Sequence, residues 1–163
     1  MLLVHKLSDV IESLIKGLII VIMVVMSLVT IVEVVRRYIL GLSFAWSEEL
    51  VRYLLIWLSF LGGSIAWKQK ALVSFSLLQD KLAGKGRSGY VLDLVIHLTC
   101  LAFTSYVAYH SWRYAFSTII VRQISTGLRL SMFYVCIAIP VGFILMSLFS
   151  LERILSIIRQ FKV

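Results

Sequence analysis

The sequence predicts an all-α integral membrane protein. Its four transmembrane helices have cytoplasmic N- and C-termini and follow an amphipathic N-terminal helix in the membrane interface. Three observations predict it. Hydrophobic residues make up 61% of the chain and charged ones 15%, against roughly 45–50% and about 25% in soluble domains. Charged residues leave four long runs free, 17–32, 53–67, 94–112 and 130–151, where a bilayer span takes about 20 apolar residues. Finally, the basic residues sit at the ends of those runs, where they report orientation.

The same figures exclude a disordered chain, a disulfide scaffold and a free-standing soluble enzyme. With 163 residues and one proline, the chain is expected to form a single membrane domain over 1–163. Its spans fall near 17–37, 48–67, 90–112 and 130–151. Ten Lys and Arg, including all seven lysines, then lie on the side of the termini and six arginines on the other; this excess puts the termini in the cytoplasm. The net charge of +8 is not arranged as a basic stripe with interleaved aromatics, so no nucleic-acid partner is expected. Cys100 and Cys136 fall within predicted spans and no CxxC occurs, which disfavours a thiol oxidoreductase. The first apolar run is too long for a cleavable signal and lacks a small-residue cleavage site.

Taken in order, 2–15 repeats apolar residues at Leu3, Leu7, Val10 and Leu14, with Lys6, Asp9, Glu12 and Ser13 on another face. This predicts a helix in the inner interface; an extension of the first span fits as well. In the second span Ser47 is the expected N-cap, with Glu48 and Glu49 in the first turn. Running to Trp67, this helix measures about 30 Å, bracketed by Trp46 and Trp67 at the two interfaces. One of its faces carries Glu48, Arg52, Ser59, Gly62, Gly63 and Ala66, and the small residues there predict close helix packing. The opposite face carries Tyr53, Trp57, Phe60 and Trp67, for which lipid and a partner are equally open.

In the third span Asp93, His97, Cys100, Thr104, Ala108 and Ser111 share one narrow face, expected to point away from lipid. The outer segment 113–129 follows, with Ile119–Val121 able to dip into the interface. The fourth span has Pro140 near its middle and then Gly142, which predicts a kink. Both are expected at helix contacts.

Glu33 is the most buried-looking carboxylate. It could serve as the cation site of an autonomous four-helix exporter. A helix-end ion pair with Arg36 or Arg37 is the better reading, because two arginines at i+3 and i+4 neutralise it. His97 and His110 lie 13 residues apart and so project to nearly opposite sides of a helix. With His5 the only other histidine, a bis-histidine haem site is not expected, and Asp93 is the natural partner of His97. No metal-ligand spacing or nucleophile–base set is present. The cluster Glu48, Glu49 and Arg52 at the outer boundary predicts contact with protein rather than simple solvation.

Arg37-Tyr38, Trp46-Ser47-Glu48-Glu49-Leu50, Arg52-Tyr53, Trp57, Phe60-Leu61-Gly62-Gly63 and Ile139-Pro140-Val141-Gly142-Phe143 together resemble the signature of a known family. It is the small membrane subunit (Q-type, DctQ-like) of tripartite ATP-independent periplasmic (TRAP) transporters. The resemblance covers nearly the whole chain and implies a non-catalytic subunit of the bacterial inner membrane. Such a subunit braces a large multi-span subunit, which carries the sodium and substrate sites, so no cofactor is expected here. A periplasmic substrate-binding protein delivers an organic acid, sialic acid or a C4-dicarboxylate, for sodium symport. On this reading Trp46, Ser47, Glu48, Glu49, Arg52 and Trp57 meet the large subunit. Ser59, Gly62, Gly63, Ala66, Asp93, His97, Pro140 and Gly142 pack helices, and Arg37, Arg122 and Arg129 are candidates for docking the binding protein. Where the family commonly has a histidine and an aspartate after the second span, this chain has Leu72 and Ser76.

Overall fold

A computed structural model describes residues 2–41, 44–69 and 87–160; Leu72 and Ser76 lie outside the described residues. The architecture is helical: α1 (Leu2–Ile39), α2 (Ala45–Lys68), α3 (Arg87–Ala115), α4 (Thr118–Arg122), α5 (Phe133–Cys136) and α6 (Ala138–Gln160). An isolated bridge between Ile124 and Ser131 is the one extended pairing among the described residues.

The first correction concerns the N-terminus. α1 is one uninterrupted helix of 38 residues, about 57 Å at 1.5 Å per residue, with no separate interfacial helix. Its polar residues explain why. Glu12 is bonded to Lys16 (2.6 Å) and Lys68 (2.8 Å), Asp9 meets Lys68 (3.0 Å), and the Ser8 hydroxyl donates to Glu152. The polar side of 2–15 therefore turns toward α2 and α6, while Val10 and Leu14 face outward. Ser8, Ile15 and Ile22 are the buried positions, a seven-residue repeat that marks a single contact seam.

The four long helices form a single layer rather than a closed bundle. α6 lies between α2 and α3, and α1 leans on the far side of α2. Where α1, α2 and α6 meet, Ile15, Ile22, Leu61, Ile65 and Phe149 make the apolar core. α6 and α3 are joined by Asp93–Arg153 at one end and by the Thr104–Ser147 hydroxyl pair (2.8 Å) nearer the middle.

Among the described residues, three helical segments are long and apolar enough to cross a membrane: Ser8–Ile39, Ala45–Lys68 and Phe133–Ile158. The third predicted span corresponds to α3, 29 residues long. Its polar residues lie inward: Asp93, His97 and Thr104 are buried, whereas Val95, Leu98, Phe103, Tyr106 and Tyr109 are exposed. Polar groups inside and large apolar side chains outside invert the pattern of a water-soluble domain.

The last span is broken where proline predicts it. α5 ends at Cys136 and α6 starts at Ala138, because Pro140 has no N–H for the Cys136 carbonyl one turn back. The helix resumes with the Val141 N–H donating to the Ile137 carbonyl (3.2 Å). Pro140 is fully buried. Two residues later a Cβ on Gly142 would stand 2.7 Å from the Cβ of Phe60 and 3.1 Å from its carbonyl oxygen. Gly142 is thus the point of closest backbone approach between α2 and α6.

Candidate functional site

The residues gathered by the sequence divide among three places: the N-terminal end of α2 with the segment that follows α3, an exposed flank of α2, and the Asp93–His97 end of the layer. At its N-terminal end, α2 begins at Ala45 with Phe44 as its N-cap, which corrects the expectation for Ser47. One turn into the helix, Ser47 is 3% exposed and donates its hydroxyl to the Phe44 carbonyl (2.8 Å). The Phe44 N–H in turn donates to the carboxylate of Glu33 on α1, 3.2 and 3.4 Å from its two oxygens. Glu33 therefore ties down the α1–α2 connection, and the Arg36 guanidinium lies 3.5 Å over the Phe44 ring in a cation–π contact.

Glu49 reaches across the layer. Its carboxylate accepts from the Ser125 hydroxyl, the Thr126 hydroxyl (2.9 Å) and the N–H groups of Gly127 and Leu128 (3.0 Å each). A turn that aims successive N–H groups at one point makes a concave seat for an anion. Glycine is required in it: a Cβ on Gly127 would fall 2.7 Å from the Ala45 carbonyl and 3.0 Å from the Glu49 carboxylate. The turn closes through Ser125 N–H to Leu130 O and Met132 N–H to Gln123 O, both 2.9 Å. Arg129 takes a left-handed φ of 53° there. Glu49 is thus bound within the chain.

Trp57 also bonds within the chain. Its indole N–H donates to the Tyr134 carbonyl (3.0 Å), and the aromatic face to which it belongs is turned onto α5 and α6. The Tyr53 hydroxyl donates to the Met132 sulfur (3.7 Å), Phe60 packs on Phe143 with ring centres 6.0 Å apart, and Trp67 donates to the Ser150 hydroxyl (2.9 Å). Among the described residues, the neighbours of that face are α5 and α6.

The small-residue face has the opposite fate. Ser59 and Arg52 are exposed, and a Cβ on Gly62 would meet nothing within 4 Å. Gly63 touches Met146, 3.3 Å from where its Cβ would be, and Ala66 is half-buried. Among the described residues α2 packs through Leu61, Ser64 and Ile65, and Ser59 and Gly62 lie beside that contact. Trp46 and Glu48 are exposed at the N-terminal end of α2. Between α1 and α2, Val29, Thr30, Glu33, Val34, Ser47 and Glu48 line an open groove of about 250 Å³. Arg37, Arg122 and Arg129 are all exposed.

At the other end of the layer, Arg153 donates to one oxygen of Asp93 from Nε (3.2 Å) and Nη2 (2.9 Å). His97 Nδ1 lies 2.8 Å from the Asp93 carbonyl and 3.3 Å from its carboxylate, with its ring against Trp67 at 5.5 Å. The buried polar residues among those described, from Ser8 to Ser150, each have a bonded neighbour in the chain, and Arg36 Nε is the one buried side-chain nitrogen or oxygen among the described residues without a hydrogen-bond partner. No group of three His, Cys, Asp or Glu residues among them is arranged to hold a metal. Sequence reasoning missed Ser125, Thr126, Gly127 and Leu128, and missed Arg153 as the partner of Asp93. The cue for the first set was a small, hydroxyl-rich turn opposite a carboxylate pair.

The Glu49 seat gives a direct expectation. In Glu49→Ala the four donors lose their common acceptor, and trypsin added at that membrane face should cut at Arg122 and Arg129 several-fold faster than in the parent. Glu49→Gln, which keeps an acceptor oxygen but not the charge, should fall between them. Equal cleavage in all three would remove the anchoring role.

Comparison with known proteins adds an independent line. The profile of the family described as "Tripartite ATP-independent periplasmic transporters, DctQ component" matches residues 26–160. The chain is 31% identical over 100 residues to a Haemophilus influenzae protein named "Putative TRAP transporter small permease protein", a match covering 60% of this chain and 62% of that one. It is 30% identical over 129 residues to the sialic acid TRAP transporter small permease protein SiaQ of Vibrio cholerae, covering 78% and 71% respectively. The chain therefore spans less than two thirds of the first relative's length and more than two thirds of the second's.

Proposed function

Because this chain belongs to the DctQ family of TRAP transporter components, we propose that it is a small permease subunit that braces a large transport subunit in the bacterial inner membrane. The observation that carries this reading is the open layer. One long helix and the Ser59–Gly62 flank of α2 present apolar and small residues that are left open among the described residues, while most of the buried polar groups are engaged in holding the layer together. Helices associate in lipid through close packing of small residues, and that flank is available for it. Trp46, Glu48 and Arg52 extend the flank to the outer boundary, and the groove beside Glu33 offers a seat for a partner side chain.

In this proposal α3 is the third of four spans. At 29 residues it is about 43 Å long, and α6 satisfies the polar groups that lower its hydropathy. Both termini then lie in the cytoplasm, as the lysine distribution favours. Sodium and substrate belong to the large subunit, and Arg37, Arg122 and Arg129 help dock a periplasmic binding protein. The name of the Vibrio cholerae relative favours sialic acid within the organic-acid class, with C4-dicarboxylates the other candidate. The reading in which Glu33 serves an autonomous exporter is weakened by its bond to the Phe44 N–H.

The test is association. Gly62→Leu fills a site that is open within the chain, so the subunit should fold and reach the membrane normally. Co-purification with a large multi-span partner in mild detergent should drop at least several-fold. Undiminished recovery would remove this flank from the interface, and a wild-type chain that brings down no such partner would remove the bracing function itself. For docking, Arg122→Glu and Arg129→Glu should slow uptake while leaving the membrane complex assembled; unchanged uptake in both would discard that role.

A further inference from the structure

Between α3 and α5 the chain forms a segment that is neither a span nor a free loop. Over 113–132 it contains three arginines and no acidic residue. Its large apolar side chains are mostly outward: Phe116 is 51% exposed, Ile119 79%, Val121 46% and Ile124 63%. Only Ile120 in α4 turns in, at 6%. Aromatic residues stand at both roots, with Trp112 stacked on Phe116 (ring centres 4.9 Å apart) and Phe116 on Phe133 (5.0 Å).

We infer that this segment is a membrane-surface element: Phe116, Ile119, Val121 and Ile124 seat in the interfacial zone of the adjacent leaflet, and Arg113, Arg122 and Arg129 lie at the level of the lipid phosphates. Three features point to lipid as the occupant. Both roots of the segment are helix ends within the layer, and the seat formed around Glu49 draws the turn back against the start of α2, so the segment is held at bilayer height. The charge is wholly of the sign that phosphate attracts. Apolar body, basic heads and a flanking aromatic belt are the composition of chains that lie in the headgroup region. The irregular backbone around 123–131 sets the depth: it stays out of the hydrocarbon core, where unpaired backbone groups are not tolerated.

The inference does not depend on the family reading, since either leaflet satisfies it, and it is tested on the native chain. Full-length protein in vesicles of phosphatidylethanolamine and phosphatidylglycerol is irradiated with a phospholipid carrying a diazirine near the top of its acyl chain, and tryptic peptides are mapped. The peptide running from Tyr114 to Arg122 should carry adducts at a yield comparable to that of the outward residues of α1, such as Val24 and Leu28. Ile119→Asp should lower the yield on that peptide several-fold without changing the yield on α1. A yield on the native peptide several-fold below that of α1 would overturn the inference, because the segment would then stand clear in water or lie beneath another protein.

Discussion

Asp93→Leu should lower the melting temperature of the purified subunit by several degrees, and Asp93→Leu/Arg153→Leu should recover most of the loss. Asp93 is 5% exposed and accepts two N–H groups from Arg153 across the α3–α6 contact. Hydrogen bonds to charged groups contribute roughly 1.5–3 kcal/mol each when a partner is lost. The single change also strands a guanidinium beside lipid, and the partial exposure of Arg153 reduces that cost because the side chain can reach the interface. Replacing both partners by apolar groups removes the stranded charge, and such pairs are often neutral or better when exchanged together. A double-mutant cycle reads the coupling directly. If the double variant is destabilised by the sum of the two single changes, the pair does not hold α3 to α6.

The second large effect separates two glycines that look alike in sequence. Gly142→Ala should destabilise by about 1–3 kcal/mol, the usual range for overpacking a filled contact, whereas Gly62→Ala should cost nothing. The Cβ added at 142 would sit 2.7 Å from the Phe60 Cβ and 3.1 Å from the Phe60 carbonyl oxygen. Neither atom belongs to the mobile end of a side chain, so Phe60→Ala should fail to rescue Gly142→Ala. Thermal unfolding of the three single variants and the double variant decides it. Rescue by Phe60→Ala would show that the ring, not the approach of the two helix backbones, sets the limit.

What the sequence disclosed and what it hid follow one physical rule. Local signals were legible: charge-free runs located the spans, Pro140 located the break before α6, and the spacing of Asp93, His97, Thr104 and Ala108 marked the face of α3 that is buried. Partners distant in the chain were not. The aromatic face of α2 left lipid and partner open because α6, which covers it, lies 77–83 residues further on. Glu49 read as a contact for another protein, and its bonds within the chain were hidden for the same reason, the four donors being 76–79 residues away. The N-terminal stretch resembled an interfacial helix because Asp9 and Glu12 looked solvated, while Lys68 and Gln69 supply their partners. Gly62, Gly63 and Gly142 carry the same composition signal, and only the direction of each one's missing side chain tells them apart.

The order in which the layer is stitched also governs how the polypeptide is made. The helix that joins α2 to α3 is synthesised after both, so during biogenesis the carboxylate at Asp93 waits for a guanidinium 60 residues downstream. At about 5–20 residues per second that wait lasts roughly 3–12 s. Over that interval the insertion machinery must shelter an unmatched charge, and a nascent chain released before Arg153 would be left as a substrate for membrane quality-control proteases.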